Sequence, residues 1–400
     1  MNKAIAITSG TSPPQPGSAR LASIITQIGE GESARDLTRE LAYAPLEIVR
    51  ENRLGALRLP ISAGGAGASF RQLIKTVVDL AAADANVAHI LRNHYCFVEL
   101  FAQPNIARSE KWIKLVAEGH IFGLAAGELG KTAGAGLVDT TIDRVGSSIR
   151  LNGTKFYSTG SLYSDYILVR AAWKDGRKVS VVIPAKREGV EIEDDWDGMG
   201  QRLTGSGTTR FSDVAINEDE IYPDAPEDGF RTAYSTTLGH LLVTAVVAGV
   251  IRAAGNDAAR LIKRRNRSFA HAPTPNPSED PILQQALGQI ASAAFAAEAT
   301  VLAAADALDA ANDGEYTFEK AHYAALTSAQ AKVTIDEIGT RAASMIFDVG
   351  GASAATRKAN LDRHWRNIRT LISHNPASYK AIAIGALELN GTSLPDNGFF

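Results

Sequence analysis

The chain has 400 residues, of which 45% are hydrophobic and 21% are charged, and its formal net charge is -3. These values are typical of a globular protein with two or three structural units, and they exclude a disordered or fibrous chain. A nucleic-acid-binding protein needs an extended basic surface. The one basic cluster, residues 263–265 with Arg267, is too short for that, so we expect no nucleic-acid partner.

Three features of the sequence bear on the location of the protein. Residues 1–17 are rich in Ser, Pro and Gly and predict a flexible leader rather than a signal peptide. The longest apolar run, residues 241–251, is shorter than the roughly 20 residues that cross a bilayer, so it predicts a buried helix. Cys96 is the single cysteine, which excludes an intramolecular disulfide. We therefore expect a cytoplasmic protein without membrane or metal sites.

Residues 18–119 predict a helical domain. Apolar residues lie three and four positions apart over residues 21–57 and again in "RQLIKTVVDLAAA", residues 71–83. Asp84 is a typical cap for a further helix over residues 86–102. The glycine-rich string "LPISAGGAG", residues 59–67, predicts a loop between these helices.

Residues 120–227 predict a compact β domain, because the apolar period changes there from helical to alternating. The alternating runs are "TTIDRV", "SIRLNGTKFYS", "YILVRAAW", "KVSVVIPA" and "TTRFSDVAI". Two dipeptides, Asn152-Gly153 and Asp175-Gly176, predict hairpin turns, since glycine accepts the positive φ that tight turns require.

Residues 228–400 predict a bundle of long, alanine-rich helices. The string "HAPTPNPSEDP", residues 271–281, cannot lie inside a helix and predicts a loop between two of them. The order of helices, strands and helices indicates an α+β multidomain fold.

That order, together with several strings, resembles the acyl-CoA dehydrogenase superfamily, and more closely its flavin-dependent monooxygenase branch. The strings are "LPISAGGAG", "AAADANVAHILRNH", "LNGTKFYSTG", "DDWDGMGQRLTGSGTTRFSDVAI" and "LDRHWRNIRTLISHNPASYK". The resemblance implies an N-terminal helical domain, a central β-barrel domain and a C-terminal four-helix bundle, assembled as a homotetramer. It also implies a flavin between the β domain and the bundle, held with help from a neighbouring subunit.

The resemblance assigns flavin contacts to two segments. In "KFYSTG" it implies Tyr157, Ser158 and Thr159, with the Thr159 hydroxyl beside the flavin N5. In "GMGQRLTGSGTTRF" it implies Ser206 and Thr208. The alternatives are a β-strand threonine chosen for its propensity and a hairpin turn rich in small residues.

Arg267 matches an arginine that reaches a flavin phosphate across a subunit interface; the alternative is a solvated charge at a helix end. The string "GGAGAS" lacks the spacing of a dinucleotide fingerprint, so we expect no bound nicotinamide. We therefore expect reduced FMN, delivered by a separate NAD(P)H-flavin reductase, with FAD as an alternative.

Two histidines are candidates for the chemistry. His374 stands in "ISHNPAS", where an acyl-CoA dehydrogenase has the carboxylate that deprotonates its substrate, and His89 also matches a flavin-facing histidine. Reduced flavin and oxygen form a C4a-hydroperoxyflavin, which must be kept from water and supplied with one proton. Histidine suits this task because its unperturbed pKa of about 6.5 lies near working pH. Which of the two handles the proton is left open.

Helical spacing separates the histidines by role. His89 shares a face with Ala85, Asn86, Asn93 and Cys96, a small and polar stripe typical of a pocket wall. His94 shares its face with apolar residues and predicts a core histidine, and His364 beside Trp365 is also interpreted as structural. Because His89 and His94 are five residues apart, they do not form a metal pair.

The resemblance also places Asn93 and Ala125, with His374, in the substrate pocket. Asn93 stands where the branch has a tyrosine, and Ala125 where it has an asparagine. These differences leave the substrate open, and we expect a small aromatic or sulfur- or nitrogen-containing compound.

Two alternatives to an FMN-dependent monooxygenase remain. An acyl-CoA dehydrogenase would need a carboxylate, and Glu128 and Glu337 are the possible substitutes for the one that residues 373–376 lack. A catalytically inactive scaffold protein would retain the fold without needing His89, Thr159 or His374. Colour on purification distinguishes them, because the dehydrogenase holds FAD tightly and is yellow.

Overall fold

The structure is a computed structural model that describes residues 12–103, 106, 108–129, 138–224, 232–397 and 400. Most of the expected flexible leader, residues 1–11, lies outside the described residues. The expected boundary between the second and third domains, at residues 227 and 228, also lies outside them.

The first part of the chain is helical, as its periodicity predicts. Its elements are α1 (Ala19–Gly29), α2 (Glu32–Thr38), α3 (Tyr43–Glu51), α4 (Phe70–Ala83), α5 (Ala85–Phe101) and α6 (Glu110–Ala117). Ser69 and Gln72 form a capping box at the start of α4. The prediction that Asp84 caps α5 is confirmed, because its carboxylate accepts hydrogen bonds from the backbone N–H groups of Asn86 and Val87.

The middle of the chain folds into one mixed sheet of eight strands. They are β1 (Phe122–Ala125), β2 (Thr141–Val145), β3 (Ser148–Lys155), β4 (Tyr166–Trp173), β5 (Lys178–Pro184), β6 (Val190–Ile192), β7 (Thr209–Ile216) and β8 (Ile221–Pro223). The strand order is β6-β7-β3-β2-β4-β5-β8, and β1 pairs with β4 in parallel. Each of the five alternating runs contains one of these strands. The short strands β1, β6 and β8 were not predicted.

One of the two predicted hairpin turns is correct. Asp175 and Gly176 connect the antiparallel strands β4 and β5, and Gly176 has φ +92°. The prediction for Asn152 and Gly153 is wrong, because both lie inside β3, where the register against β7 shifts as at a β-bulge. Glycine is needed there for close approach rather than for a turn, since a Cβ on Gly153 would lie 2.5 Å from the Thr140 hydroxyl oxygen.

The last part of the chain is again helical. Its elements are α7 (Thr237–Arg264), α8 (Pro281–Asn312), α9 (Phe318–Gly350), α10 (Asp362–Ile372) and α11 (Ala377–Asn390). The proline-rich residues 271–281 connect α7 to α8 as predicted, and Asp280 caps α8. The fold class, helical at both ends with a central β-sheet domain, is confirmed.

Two helices, α7 and α8, are long and apolar enough to cross a membrane by length and composition alone. In α7 the apolar stretch is 83% buried within the chain, so residues 241–251 form core, as expected. In α8 the corresponding stretch is only 33% buried, and it exposes Ile282 and Phe295.

Helix α5 occupies the position from which a site can be built. It packs on one side against α7 and on another against β1, so it joins the helical parts to the sheet. His94 is fully buried there, between the carbonyl oxygen of Gly55 and the backbone N–H of Phe122. His364, on α10, is buried against Asp257. Both histidines are structural, as interpreted from the sequence.

Candidate active site

The segment after β3 presents three neighbouring side chains in different ways. Tyr157 has φ +56° and an exposed ring, 57% accessible, whose centroid lies 6.1 Å from that of Trp196. Ser158 and Thr159 are buried. The Ser158 hydroxyl has no hydrogen-bond partner among the described residues. A buried hydroxyl without a partner is costly, so it marks a place where a ligand can supply one.

A chain of hydroxyl groups joins this segment to the glycine-rich loop before β7. Thr159 Oγ1 lies 2.8 Å from Ser206 Oγ, which lies 2.6 Å from Thr204 Oγ1. Thr204 Oγ1 donates in turn to the carbonyl oxygen of Gln201. Thr208 belongs to another contact, because its hydroxyl and its N–H both donate to Asp195. Thr159 and Ser206 are therefore brought together, whereas the hydroxyl proton of Thr208 is committed elsewhere.

The polar stripe of α5 lies against the same loop. Asn93 Nδ2 donates to the carbonyl oxygen of Thr159 at 2.8 Å, and Asn86 Oδ1 accepts from the N–H of Leu203. His89 Nδ1 lies 3.0 Å from Gln201 Oε1. Because a carboxamide oxygen can only accept, His89 donates from Nδ1, and its Nε2 is left as an acceptor.

Gln201 also connects the loop to α10. Its backbone N–H donates to Asn367 Oδ1 at 2.7 Å, and both residues are buried. One residue, Gln201, thus touches His89 with its side chain and α10 with its backbone. Sequence reasoning missed this residue, because nothing in its local pattern distinguishes it from a turn residue.

His374 follows directly after α10. Its side chain is exposed in the single chain, and its ring centroid lies 6.2 Å from that of His240 on α7, edge to face. Although solvent reaches part of the ring, desolvation by the surrounding protein holds the pKa of His374 well below its usual range, and the charge of Arg92 adds to this effect. His374 therefore lies beside His240 and within electrostatic range of His89 and Arg92, and we call this group of four side chains the crevice.

The remaining imidazoles of this crevice are neutral at working pH. Burial, assisted by the charge of Arg92, lowers the pKa of His89 to about 3. Burial also lowers the pKa of His240 to about 3. Both values lie below the unperturbed pKa of about 6.5, because desolvation disfavours the charged form. Such residues act through neutral N–H and N groups.

Two residues of the crevice were missed from the sequence. His240 directly precedes the apolar run of α7, so its position does not distinguish it from the core helix that this run predicts. Arg92 is three residues after His89 on α5, so the same helical spacing that defined the polar stripe could have found it.

The other predicted site residues lie apart. Ala125 ends β1 and is fully buried in the apolar core of the sheet, so its position lends no support to a place in the substrate pocket. Arg267 is exposed three residues after α7 and forms no hydrogen bond or ion pair within the described part of the chain, which leaves its guanidinium open to an external ligand.

Neither substitute carboxylate is placed to act as a base. Glu128 is bound to Lys155 at 2.6 Å and also accepts hydrogen bonds from Asp139 and Thr140. Glu337 is exposed on α9. Within the described ranges, no group of three or more His, Cys, Asp or Glu residues could hold a metal ion.

The segment 157–159, the hydroxyl chain and the α5 stripe fit a planar heterocycle with a polar edge. Ser158 and Thr159 offer hydroxyl groups, one of them without a partner, and Tyr157 and Trp196 offer exposed or half-buried rings beside them. A flavin ring requires this combination of polar and apolar contacts.

Comparisons with known proteins agree with this fit. Residues 123–214 match the acyl-CoA dehydrogenase middle domain, and residues 241–379 match the acyl-CoA dehydrogenase C-terminal domain. The chain is 28% identical to a dibenzothiophene monooxygenase of Mycolicibacterium goodii, over 90% of this chain and 93% of that one. It is 26% identical to a probable FMNH2-dependent monooxygenase, SfnC, of Pseudomonas putida, over 94% and 96%.

A solved structure shows the same fold. FMN-bound TdsC from Paenibacillus sp. A11-2 superimposes with a TM-score of 0.86 at 27% identity, covering 95% of this chain and all of that one. The chain is therefore an oxidoreductase of the acyl-CoA dehydrogenase superfamily and belongs to its flavin-dependent monooxygenase branch.

Proposed function

We propose that this protein is the oxygenase of a two-component system, using reduced FMN and O2 to oxygenate a small aromatic or sulfur- or nitrogen-containing substrate. When bound, the flavin supplies the oxygen-transfer chemistry, through a C4a-hydroperoxyflavin. One observation carries the proposal. His374, which the resemblance aligns with the dehydrogenase base, lies with its ring centroid 6.2 Å from that of His240.

The relatives support the choice of cofactor and substrate class. SfnC is described as FMNH2-dependent, TdsC binds FMN, and dibenzothiophene is an aromatic sulfur compound. Because the sequence has no nicotinamide-binding fingerprint, a separate NAD(P)H-flavin reductase must reduce the FMN. FAD is the alternative cofactor.

The catalytic roles fall to His89, Thr159 and His374. His89 presents Nε2 as an acceptor, since Nδ1 is bound to Gln201. Thr159 presents a hydroxyl held by Ser206, and its backbone is fixed by Asn93. His374 supplies an N–H group. A ligand bound in the crevice would determine how far solvent reaches that group. Together the three side chains can hold one proton near the reacting oxygen.

The cofactor-binding residues are Tyr157, Ser158, Thr159, Ser206, Thr208 and Arg267. Arg267 would act on a neighbouring subunit's FMN, because it is exposed and lies past the end of α7. Arg267→Ala should weaken FMN binding about tenfold, as expected for loss of a charge-assisted phosphate contact, and leave riboflavin binding unchanged. Equal losses for both flavins, measured by fluorescence quenching, would exclude the phosphate contact.

We also propose a cytoplasmic homotetramer. Exposed apolar side chains on α8 and α11, namely Ile282, Phe295, Tyr379, Ile382 and Leu389, form surfaces of the kind that subunit contacts cover. The domains would be the leader at residues 1–17, the helical domain at 18–119, the β domain at 120–227 and the bundle at 228–400. Substrate, O2 and the reductase would be the other partners, without nucleic acid or membrane.

Stopped-flow spectroscopy tests the reaction class. Protein loaded with FMNH2 is mixed with oxygenated buffer, and the absorbance of a flavin hydroperoxide is followed. We expect a species that persists for seconds and decays to oxidised FMN. Direct conversion of FMNH2 to FMN at the rate of free flavin would contradict the proposal, and tight yellow FAD on purification would favour a dehydrogenase.

A further inference from the structure

Arg92 is the charged residue of the crevice that the proposed chemistry does not use. It lies on α5, half-buried, and its Nε donates to the carbonyl oxygen of Gly239 at 2.9 Å. A Cβ on Gly239 would lie 3.5 Å from Arg92 Nη2 and 3.3 Å from Cys96 Sγ. The guanidinium is thus pressed against the backbone of α7, one residue before His240.

Unlike several half-buried arginines of this chain, Arg92 has no carboxylate partner. Arg35 pairs with Asp84 at 2.8 Å, Arg58 with Glu99 at 2.7 Å, and Arg187 with Glu220 at 2.6 Å. Over the described ranges, no acidic side chain forms an ion pair with Arg92. Burial consequently lowers its pKa from the usual value, and only the weak influence of Cys96 opposes this. A desolvated charge without a partner is costly unless a ligand supplies one.

The surroundings of Arg92 are positive rather than compensating. Burial, followed by the charges of Lys380, Arg92 and Lys332, depresses the pKa of His240. Lys380 is buried with its Nζ 4.1 Å from the ring centroid of Phe400, and Lys332 is bound to Asp336 at 2.7 Å. Asp336 is therefore already engaged, and the net charge facing the crevice is positive.

We propose that Arg92 binds an oxyanion group of the substrate, a carboxylate, sulfinate or sulfonate, beside His240. This inference rests on the proposed function, because it names the substrate class of the same crevice. The two Nη groups of Arg92 can donate in parallel to two oxygens of one group, as guanidinium groups do with carboxylates and phosphates.

Binding to the protein with oxidised FMN tests the inference without any turnover. Benzenesulfonate and methyl phenyl sulfone have similar shapes and differ in charge. By titration calorimetry we expect wild type to bind benzenesulfonate at least tenfold more tightly than the sulfone. Arg92→Gln should weaken benzenesulfonate roughly 10- to 100-fold, the usual effect of losing hydrogen bonds to a charged group, and leave the sulfone within twofold.

Arg341→Gln is the matched control, because it removes the same charge from an exposed position on α9 and should change neither affinity. Arg92→Lys keeps the positive charge but loses the paired Nη groups, so it should bind benzenesulfonate with an intermediate affinity. If Arg92→Gln fails to fold, the comparison of the two ligands on wild type and Arg92→Lys still decides. Equal binding of both ligands by wild type, or anion affinity within twofold in Arg92→Gln, would overturn the inference. The stopped-flow result on the proposed reaction is independent of either outcome.

Discussion

Two faces of α5 carry histidines in opposite states. On one face, His94 is bonded through both ring nitrogens, to Gly55 and Phe122, and Tyr95 donates to the carbonyl oxygen of Leu54. On the other face, His89 has one bonded nitrogen, and Arg92 has a guanidinium without a carboxylate. The two faces are equally helical and differ only in whether their polar groups are satisfied.

The difference teaches where function lies on a helix that is mostly buried. Buried polar groups that find all their partners within the chain stabilise the fold and specify its packing. Groups left with open donors or acceptors are costly to folding, so their retention indicates a ligand. By this criterion the face of His94 is structural, and the face of His89 and Arg92 belongs to the active site. Three predictions test the distinction.

The largest effect is expected at His374, which lies near the open face of α5. His374→Ala should lower oxygenated product about 100-fold, the usual contribution of a positioned acid or base, and raise hydrogen peroxide correspondingly. Its melting temperature and FMN affinity should remain near those of wild type, since the side chain is exposed in the single chain. Product and peroxide are both measured in a reaction to which FMNH2 is supplied. Unchanged product yield would remove His374 from the mechanism.

A smaller effect, and on stability alone, is expected from the satisfied face. His94→Ala should lower the free energy of unfolding by about 3 kcal/mol, because it opens a cavity and leaves a buried carbonyl and a buried N–H without partners. His89→Ala is the control and should cost less, about 2 kcal/mol, because it leaves one buried acceptor without a partner, the Gln201 side-chain oxygen, instead of two backbone groups. Urea denaturation measures both. A larger loss for His89→Ala would reverse the assignment of the two faces.

The smallest effect concerns pH. Burial lowers the pKa of His94 to about 4, against about 6.5 in the unfolded chain, so the unfolded state binds more protons as the pH falls below 6.5. The contribution of the neutral His94 to the free energy of unfolding is present above pH 6.5 and is lost as the pH falls toward 4. Between pH 7 and 5.5, His94→Ala should therefore lose about 1 kcal/mol less stability than wild type. Burial raises the pKa of the Glu32 carboxyl to about 7, so its contribution to stability changes with pH in the opposite direction. That contribution is the same in both proteins and cancels when their pH curves are compared. Parallel pH curves would contradict a neutral buried His94.

The parts of this fold that follow local rules could be predicted from the sequence. The cap at Asp84, the core role of His94 and the loop at residues 271–281 all depend on residues close in the chain. The hairpin at Asn152-Gly153 failed because a bulge in a strand and a tight turn select the same dipeptide. Only the pairing partner distinguishes them, and that partner is distant in sequence.

The candidate site could be predicted only in part, for the same reason. Helical spacing gave the stripe of His89 and Asn93, and the resemblance supplied Thr159 and His374. The contacts that define the site join α5 to residues more than 60 positions away, as in Asn93 to Thr159 and His89 to Gln201. Arg92 was overlooked because a charged residue on a helix is usually solvated. Its missing carboxylate is visible only in three dimensions.

The hydrogen bond between Asn367 and the Gln201 backbone connects α10 to the residue that binds His89, and so relates the positions of His89 and His374. Helix α10 ends two residues before His374. Through Asn367 it also binds the backbone of Gln201, whose side chain is hydrogen-bonded to His89. A displacement of this helix would therefore move His374 and would also change the hydrogen bond that orients the His89 ring. Relatives could thus adjust the site to bulkier substrates by shifting α10 without replacing either histidine.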